Sequence, residues 1–224
     1  IVEGITEWLP ISSTGHMILL DEFVKLNVTP EFLEVFLVVI QLGAILAVVG
    51  LYWDDIFPFH FKGGFGVDKP KMLMWMKILV ASVPAGVVGI LWDDVLNALF
   101  YNFVTVAIML IIFGILFIVV ENRNKELDAK VTALSQITFR SAFIIGVFQM
   151  IAAVFPGTSR SGATIIGALL LGVSRTVAAE FTFFLAIPAM FGGSAIKMLK
   201  FGCSFSSYEV MILLIGMLVA YVVS

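Results

Sequence analysis

The chain has 224 residues, 61% of them hydrophobic and 13% charged, with a mean hydropathy of +1.10 and a formal net charge of -3. Soluble domains carry roughly a quarter charged residues, so the lipid bilayer is the natural solvent, and the slight acidity with no basic face gives nucleic acid no foothold. A single cysteine, Cys203, excludes an intrachain disulfide framework and supplies no metal cluster.

Ile1 opens directly onto acidic residues, without a basic region ahead of an apolar stretch, so no cleavable signal peptide is expected. The chain begins without Met and ends inside an apolar run at Val223 and Ser224, as a portion of a longer protein would. A bilayer span takes about 20 mostly apolar residues. Residues 32–52, 73–92, 103–120 and 178–198 qualify, and 210–223 is a fifth apolar run cut short by the end of the chain. Polar connections are expected over 54–71, 93–102, 121–136 and 200–207.

Two segments do not behave as spans. Residues 1–26 are broken by Pro10-Ile-Ser-Ser-Thr-Gly-His16, and 139–173 by Pro156-Gly-Thr-Ser-Arg-Ser-Gly162. Irregular backbone at membrane depth survives only where protein or a water-filled cavity satisfies its polar groups. Each break is therefore read as the tip of a re-entrant helix-loop-helix hairpin. The two align at an offset of 146, with Glu3 on Gln149, Ile5 on Ile151, Pro10 on Pro156 and Ser13 on Ser159; further along, Glu34 falls on Glu180. The Lys and Arg of 54–77 (Lys62, Lys69, Lys71, Lys77) and of 121–140 (Arg123, Lys125, Lys130, Arg140) put those stretches on one side, the cytoplasmic one, whereas 93–102 has neither residue. The first hairpin then enters from outside and the second from the cytoplasm. The expected fold is an all-α polytopic membrane protein, a single domain over 1–224. Its inverted-topology repeats are about 1–92 and about 139–224, with a linking span at about 103–120, and the two hairpins meet near the midplane.

Glu3 and Glu7 share a helical face, and carboxylates inside a membrane are expensive. A divalent cation or Arg160 would compensate them; ends lying in the water interface are the plainer reading, set against the polar run that follows. Ser12, Ser13 and Thr14 precede an apolar helix. An ordinary N-cap accounts for one of these hydroxyls but not for three beside His16. Exposed N–H groups at a helix start form an anion site, and a serine near a histidine is the minimal activated nucleophile. The other histidine, His60, lies in a polar connection without an expected catalytic role.

In the second tip Gly157 lets the backbone curl so that N–H groups, including those around Thr158, converge on one anion. Arg160 adds a planar fork for phosphate oxygens, and Ser159, Ser161 and Thr164 add hydroxyls. A capped helix start with a snorkelling arginine is the plainer alternative, disfavoured by the apolar flanks 151–155 and 165–171. One tip carries carboxylates and imidazole, the other an anion clamp, which suits chemistry on a phosphate group. Phe181, Phe183 and Phe184 read as lipid-facing or packing residues, and Glu34 and Glu180 as span ends with structural partners.

Glu3-x-x-x-Glu7, Pro-x-Ser-Ser-Thr-Gly-His16 and Pro156-Gly-x-Ser-Arg-Ser-x-x-Thr164 together resemble the paired motifs of the undecaprenyl-diphosphatases, membrane enzymes linked to bacitracin resistance. The resemblance extends over the chain, including Glu180-Phe-x-Phe-Phe-Leu-Ala-x-Pro188; the start of the first helix and a C-terminal span of the family are not among these residues. It implies removal of the terminal phosphate of undecaprenyl diphosphate, to give the lipid carrier of peptidoglycan synthesis. It also implies a divalent cation, Mg2+ or Ca2+, and a multi-pass protein of the bacterial plasma (inner) membrane whose site opens to the outer face. On this basis Glu3 and Glu7 hold the metal, Arg160 and the second-tip N–H groups take the charge of the transferring phosphoryl group, and Ser13 is the nucleophile with His16 as proton partner. Alternatively His16 attacks or activates water. The expected partners are the lipid substrate and membrane lipids, with a homodimer as an assembly open to it. A transporter or flippase of a lipid phosphate is the main rival function, and an intramembrane serine hydrolase the second; an arginine-centred anion clamp argues against the latter.

Overall fold

The computed structural model describes every residue except Glu22, 61–65, Tyr101, Glu126 and Cys203, and omits the side chains of Asp93 and Asn97. Lys62, counted above among the cytoplasmic cations, and Cys203 therefore lie outside the described residues. The broken N-terminal segment forms two short helices, α1 (Val2–Thr6) and α2 (Ser13–Asp21). In α3 (Pro30–Val39) the Thr29 side chain caps the Phe32 N–H, and Pro30 occupies the first turn, where a missing N–H is harmless. Helix α4 (Gln41–Leu51) continues it after a short interruption at Ile40. The polar connection that follows holds the single turn α5 (Trp53–Ile56) and a small hairpin, β1 (Phe59–His60) antiparallel to β2 (Gly66–Val67).

Helix α6 (Lys69–Phe100) runs beyond its expected end, and the connection expected over 93–102 is corrected: most of it is helix. No Gly or Pro interrupts 90–100, and Phe100 packs on Phe155 with ring centroids 4.9 Å apart. Asn102 then stops the run by capping the Thr105 N–H of α7 (Phe103–Asn124). A 3-10 turn (Leu134–Gln136) leads to α8 (Phe139–Val154), α9 (Arg160–Leu170), α10 (Arg175–Phe201) and α11 (Ser207–Val223). Among the described residues, four stretches are long and apolar enough to cross a bilayer: Pro30–Leu51, Lys69–Trp92, Phe103–Asn124 and Arg175–Phe201. They coincide with the four spans read from the sequence. Ile108, Ile111, Ile115 and Ile118 of α7 are exposed, a surface far too apolar for water. The protein is a multi-pass, helical membrane protein.

Helix α9 is buried from Ser161 to Leu169, packed among α7, α8 and α10. Phe181 and Phe184 join Ile145 and Ile166 in the main core, and Phe183 stands edge-on to Trp8 at 5.2 Å. Gly146 allows α8 to lie against α6, because a Cβ there would sit 2.1 Å from the Ala81 carbonyl oxygen. Lys77 Nζ donates to the Ser135 carbonyl at 3.1 Å, Arg175 pairs with Glu121, and Lys130 N–H donates to the Gly172 carbonyl at 2.8 Å. These contacts gather the start of α6, the 121–138 connection and the junction of α9 with α10 at one end of the bundle. Towards the other, Lys200 Nζ donates to Asp94 at 2.8 Å.

Candidate active site

Residues 153 positions apart meet here. Arg160, the first residue of α9, forms an ion pair through Nη2 with Glu7 Oε1. The other carboxylate oxygen of Glu7, Oε2, accepts a hydrogen bond from Ser13 Oγ at the start of α2. Glu7 is 7% exposed and the Arg160 side chain 21%. The pair is shielded enough for the charges to matter to each other, and the guanidinium still reaches a cavity. That cavity, of about 150 Å3, is lined by Glu7, Ser12, Ser13 and Thr14 of the first tip and by Thr158, Ser159, Arg160 and Ser161 of the second.

Each tip has its own backbone solution. Ser12 adopts φ 65°, the left-handed region that costs a non-glycine residue of order 1–3 kcal/mol. Its Oγ accepts from Gly15 N–H at 3.2 Å, and its carbonyl lies 2.8 Å from His16 Nδ1. Nδ1 therefore carries the proton and donates. The Ser13–His16 contact expected from the sequence does not form: Ser13 donates to Glu7, and His16 is turned to the Ser12 carbonyl. In the second tip Gly157 has φ 89°, and a Cβ there would approach the Val106 carbonyl oxygen to 2.7 Å, so only glycine fits. Ser159 caps α9 by accepting from Gly162 N–H at 3.1 Å, and Ser161 Oγ donates to the Leu9 carbonyl at 3.1 Å, joining the tips.

Two expectations for the phosphate-binding set are corrected. Thr164 is turned away from the cavity: its hydroxyl donates back to the Arg160 and Ser161 carbonyls and accepts from Thr182 Oγ1 at 2.9 Å. A threonine one turn into a buried helix satisfies itself against that helix. Gly157 lines the neighbouring, larger cavity rather than this one. Thr158 lines both, and its buried Oγ1 has no partner.

Glu3, one turn before Glu7, is 3% exposed and its Oε1 is also without a partner. Carboxylate and hydroxyl oxygens are the donors that Mg2+ or Ca2+ takes. Among the described residues no group of three His, Cys, Asp or Glu is placed to hold a metal ion; Glu3 and Glu7 are the two carboxylates the first tip offers. Gln41, the first residue of α4, lines both cavities and was not singled out from the sequence. The signal was present: apart from Glu34 near its start and Tyr52 at its end, Gln41 is the one polar side chain of the 32–52 span, and polar residues inside a span are seldom idle. Glu34 pairs with Lys197 at 3.4 Å on the wall of the larger cavity, as a span-end residue with a partner.

The chain matches the family described as bacitracin resistance protein BacA over residues 1–224. It is 70% identical over 224 residues to an undecaprenyl-diphosphatase of Desulfitobacterium hafniense, covering 100% of this chain and 81% of that one. It is 64% identical to undecaprenyl-diphosphatase 1 of Clostridium acetobutylicum and 58% identical to an undecaprenyl-diphosphatase of Enterococcus faecalis, each match covering 100% of this chain and 82% of the relative.

Proposed function

Because the chain belongs to the bacitracin resistance protein BacA family, we propose that it is an undecaprenyl-diphosphatase: it hydrolyses undecaprenyl diphosphate to undecaprenyl phosphate and inorganic phosphate. The observation that carries the reading is the Arg160–Glu7–Ser13 chain, which draws a cation, a carboxylate and a hydroxyl from both tips into one cavity.

Ser13 Oγ attacks the terminal phosphorus, and the bond from that phosphorus to the bridging oxygen breaks, releasing undecaprenyl phosphate. Glu7 Oε2, already the acceptor of the Ser13 proton, takes it. Water then cleaves the phosphoserine to inorganic phosphate, and Glu7 returns the proton to Ser13. A phosphoryl transition state is loose and asks mainly for positioning and charge stabilisation. Arg160 supplies the second with the guanidinium nitrogens not bound to Glu7, and the hydroxyls of Ser12, Thr14 and Thr158 supply the first. Glu3 and Glu7 would hold a divalent cation, which when bound neutralises charge on the diphosphate. His16 holds the Ser12 carbonyl and so positions the loop.

The same reading extends to architecture and location. The α1–α2 and α8–α9 pairs are re-entrant hairpins of inverted repeats, and the protein lies in the bacterial plasma membrane with its site open to the outer side. The junction of α9 with α10 lying beside the connection that precedes α8 supports this for the second hairpin. The absence of Lys and Arg from 93–102 supports the orientation. Purified protein in detergent micelles, where no gradient exists, is expected to release phosphate from undecaprenyl diphosphate in the presence of Mg2+ or Ca2+. Binding without release would favour transport of the lipid phosphate instead.

A further inference from the structure

Two cavities adjoin the one that holds Arg160, and they differ in chemistry. The larger, about 500 Å3, has Glu34 and Lys197 together with Thr14 and Gln41 on its walls. The other, about 350 Å3, is a groove between α6 and α10 with α8 beneath it. Its walls are built from small residues: Gly86 and Gly89 on α6, Gly192 and Gly193 on α10, and a Cβ added at any of the four would meet nothing within 4 Å. These glycines therefore do not serve helix-helix contact; they border open space. At the inner end stand Arg160 and Gln149, and Ala152 borders this groove and both polar cavities. Gln149 is 2% exposed and its Oε1 has no hydrogen-bond partner. A buried amide left so is unfavourable, and with either amide orientation it offers a polar contact next to Arg160.

We infer that this groove holds the hydrocarbon chain of the lipid diphosphate, starting at the carbon that bears the phosphate, with Gln149 beside that end; the inference rests on the phosphatase reading above. A polyprenyl diphosphate has one end that must be wet and one that must be dry. In the larger cavity Leu37, Val38 and Leu96 share the walls with the Glu34–Lys197 ion pair, which a hydrocarbon chain would have to desolvate. In contrast, α6 and α10 offer an apolar trough that begins at the phosphate-binding arginine. The polar cavity is left for water and released phosphate.

Gly89→Leu and Gly192→Leu build into the trough from positions where an added Cβ meets nothing, and Gly114→Leu adds the same side chain to α7, where a Cβ also meets nothing. In micelles the two groove variants are expected to raise KM for undecaprenyl diphosphate by roughly tenfold or more with kcat within about twofold, and Gly114→Leu to match wild type. A wild-type protein incubated with a photoactivatable prenyl diphosphate, its reactive group on the first isoprene unit, is expected to be labelled within 82–90 or 188–196. Unchanged KM in both groove variants, or label confined to α7 or α11, overturns the groove assignment while leaving the phosphatase standing. Wild-type protein that releases no phosphate overturns both.

Discussion

At the second tip nearly every hydroxyl is occupied by the protein itself: Ser159 caps Gly162, Ser161 reaches the Leu9 carbonyl, Thr164 turns back on its own helix, and Thr158 is the exception. At the first, the charged groups press on one another. Glu7 is held between Arg160 and Ser13, Glu3 has an oxygen without a partner, and Ser12 is kept at φ 65°. One tip is a frame assembled from backbone and caps; the other is a reactive group whose charge is compensated only when the frame delivers Arg160. Neither would be stable or useful at membrane depth by itself, since an unpaired carboxylate is costly there and a clamp without a nucleophile only binds.

The largest effects should come from the reactive tip. Ser13→Ala and Glu7→Gln are each expected to lower kcat about 10²- to 10⁴-fold, and the double variant to lose little more than the worse single, because groups that act as a unit are not additive. Steady-state phosphate release in micelles reads this directly. Multiplicative losses would separate the two residues, and near-normal turnover of Ser13→Ala would make water the nucleophile.

Next comes the frame's contribution. Arg160→Lys keeps the charge but loses the planar fork, and kcat should fall about 10²- to 10³-fold with the melting temperature nearly unchanged. Arg160→Ala should also lose about 3–5 kcal/mol of stability, because it strands Glu7 in the interior. If Arg160→Lys keeps full activity, the clamp is a point charge and the two tips differ less in chemistry.

How far this was legible before the structure differs between the tips. Spans, breaks and the meeting of Arg160 with Glu7 followed from hydropathy and from the expense of charge in a membrane, both long-range constraints written into composition. Partner choice within the first tip did not follow. Ser13 and His16 are three positions apart, which suggests contact. In the structure, however, Ser12 is left-handed, Ser13 meets Glu7 and His16 returns to the Ser12 carbonyl. No pattern of residue types encodes that local turn or the partners chosen around it. Thr164 was misplaced for a related reason, since a hydroxyl in a buried helix has a carbonyl one turn back as a competing acceptor.

A smaller effect separates the two carboxylates. Glu3→Gln is expected to raise the Mg2+ concentration for half-maximal activity by at least about tenfold while kcat at saturating Mg2+ falls less than in Glu7→Gln. Metal titrations of the two variants test it. Identical metal dependence in wild type and Glu3→Gln would leave the buried Oε1 without the role given to it.

The smallest expected effect falls on His16, where it tells most about the first tip. Its Nδ1 proton serves the Ser12 carbonyl, so His16→Gln removes about one hydrogen bond, worth roughly 1 kcal/mol. If that bond only steadies the Ser12 turn, kcat should drop no more than about fivefold, and His16→Asn, whose shorter amide can still donate locally, should recover part of the loss. A fall as large as that of Ser13→Ala would mean that the imidazole touches the reacting atoms. The first tip would then contain two proton acceptors, and the hydrogen bond from Ser13 to Glu7 would describe a resting arrangement that substrate rearranges.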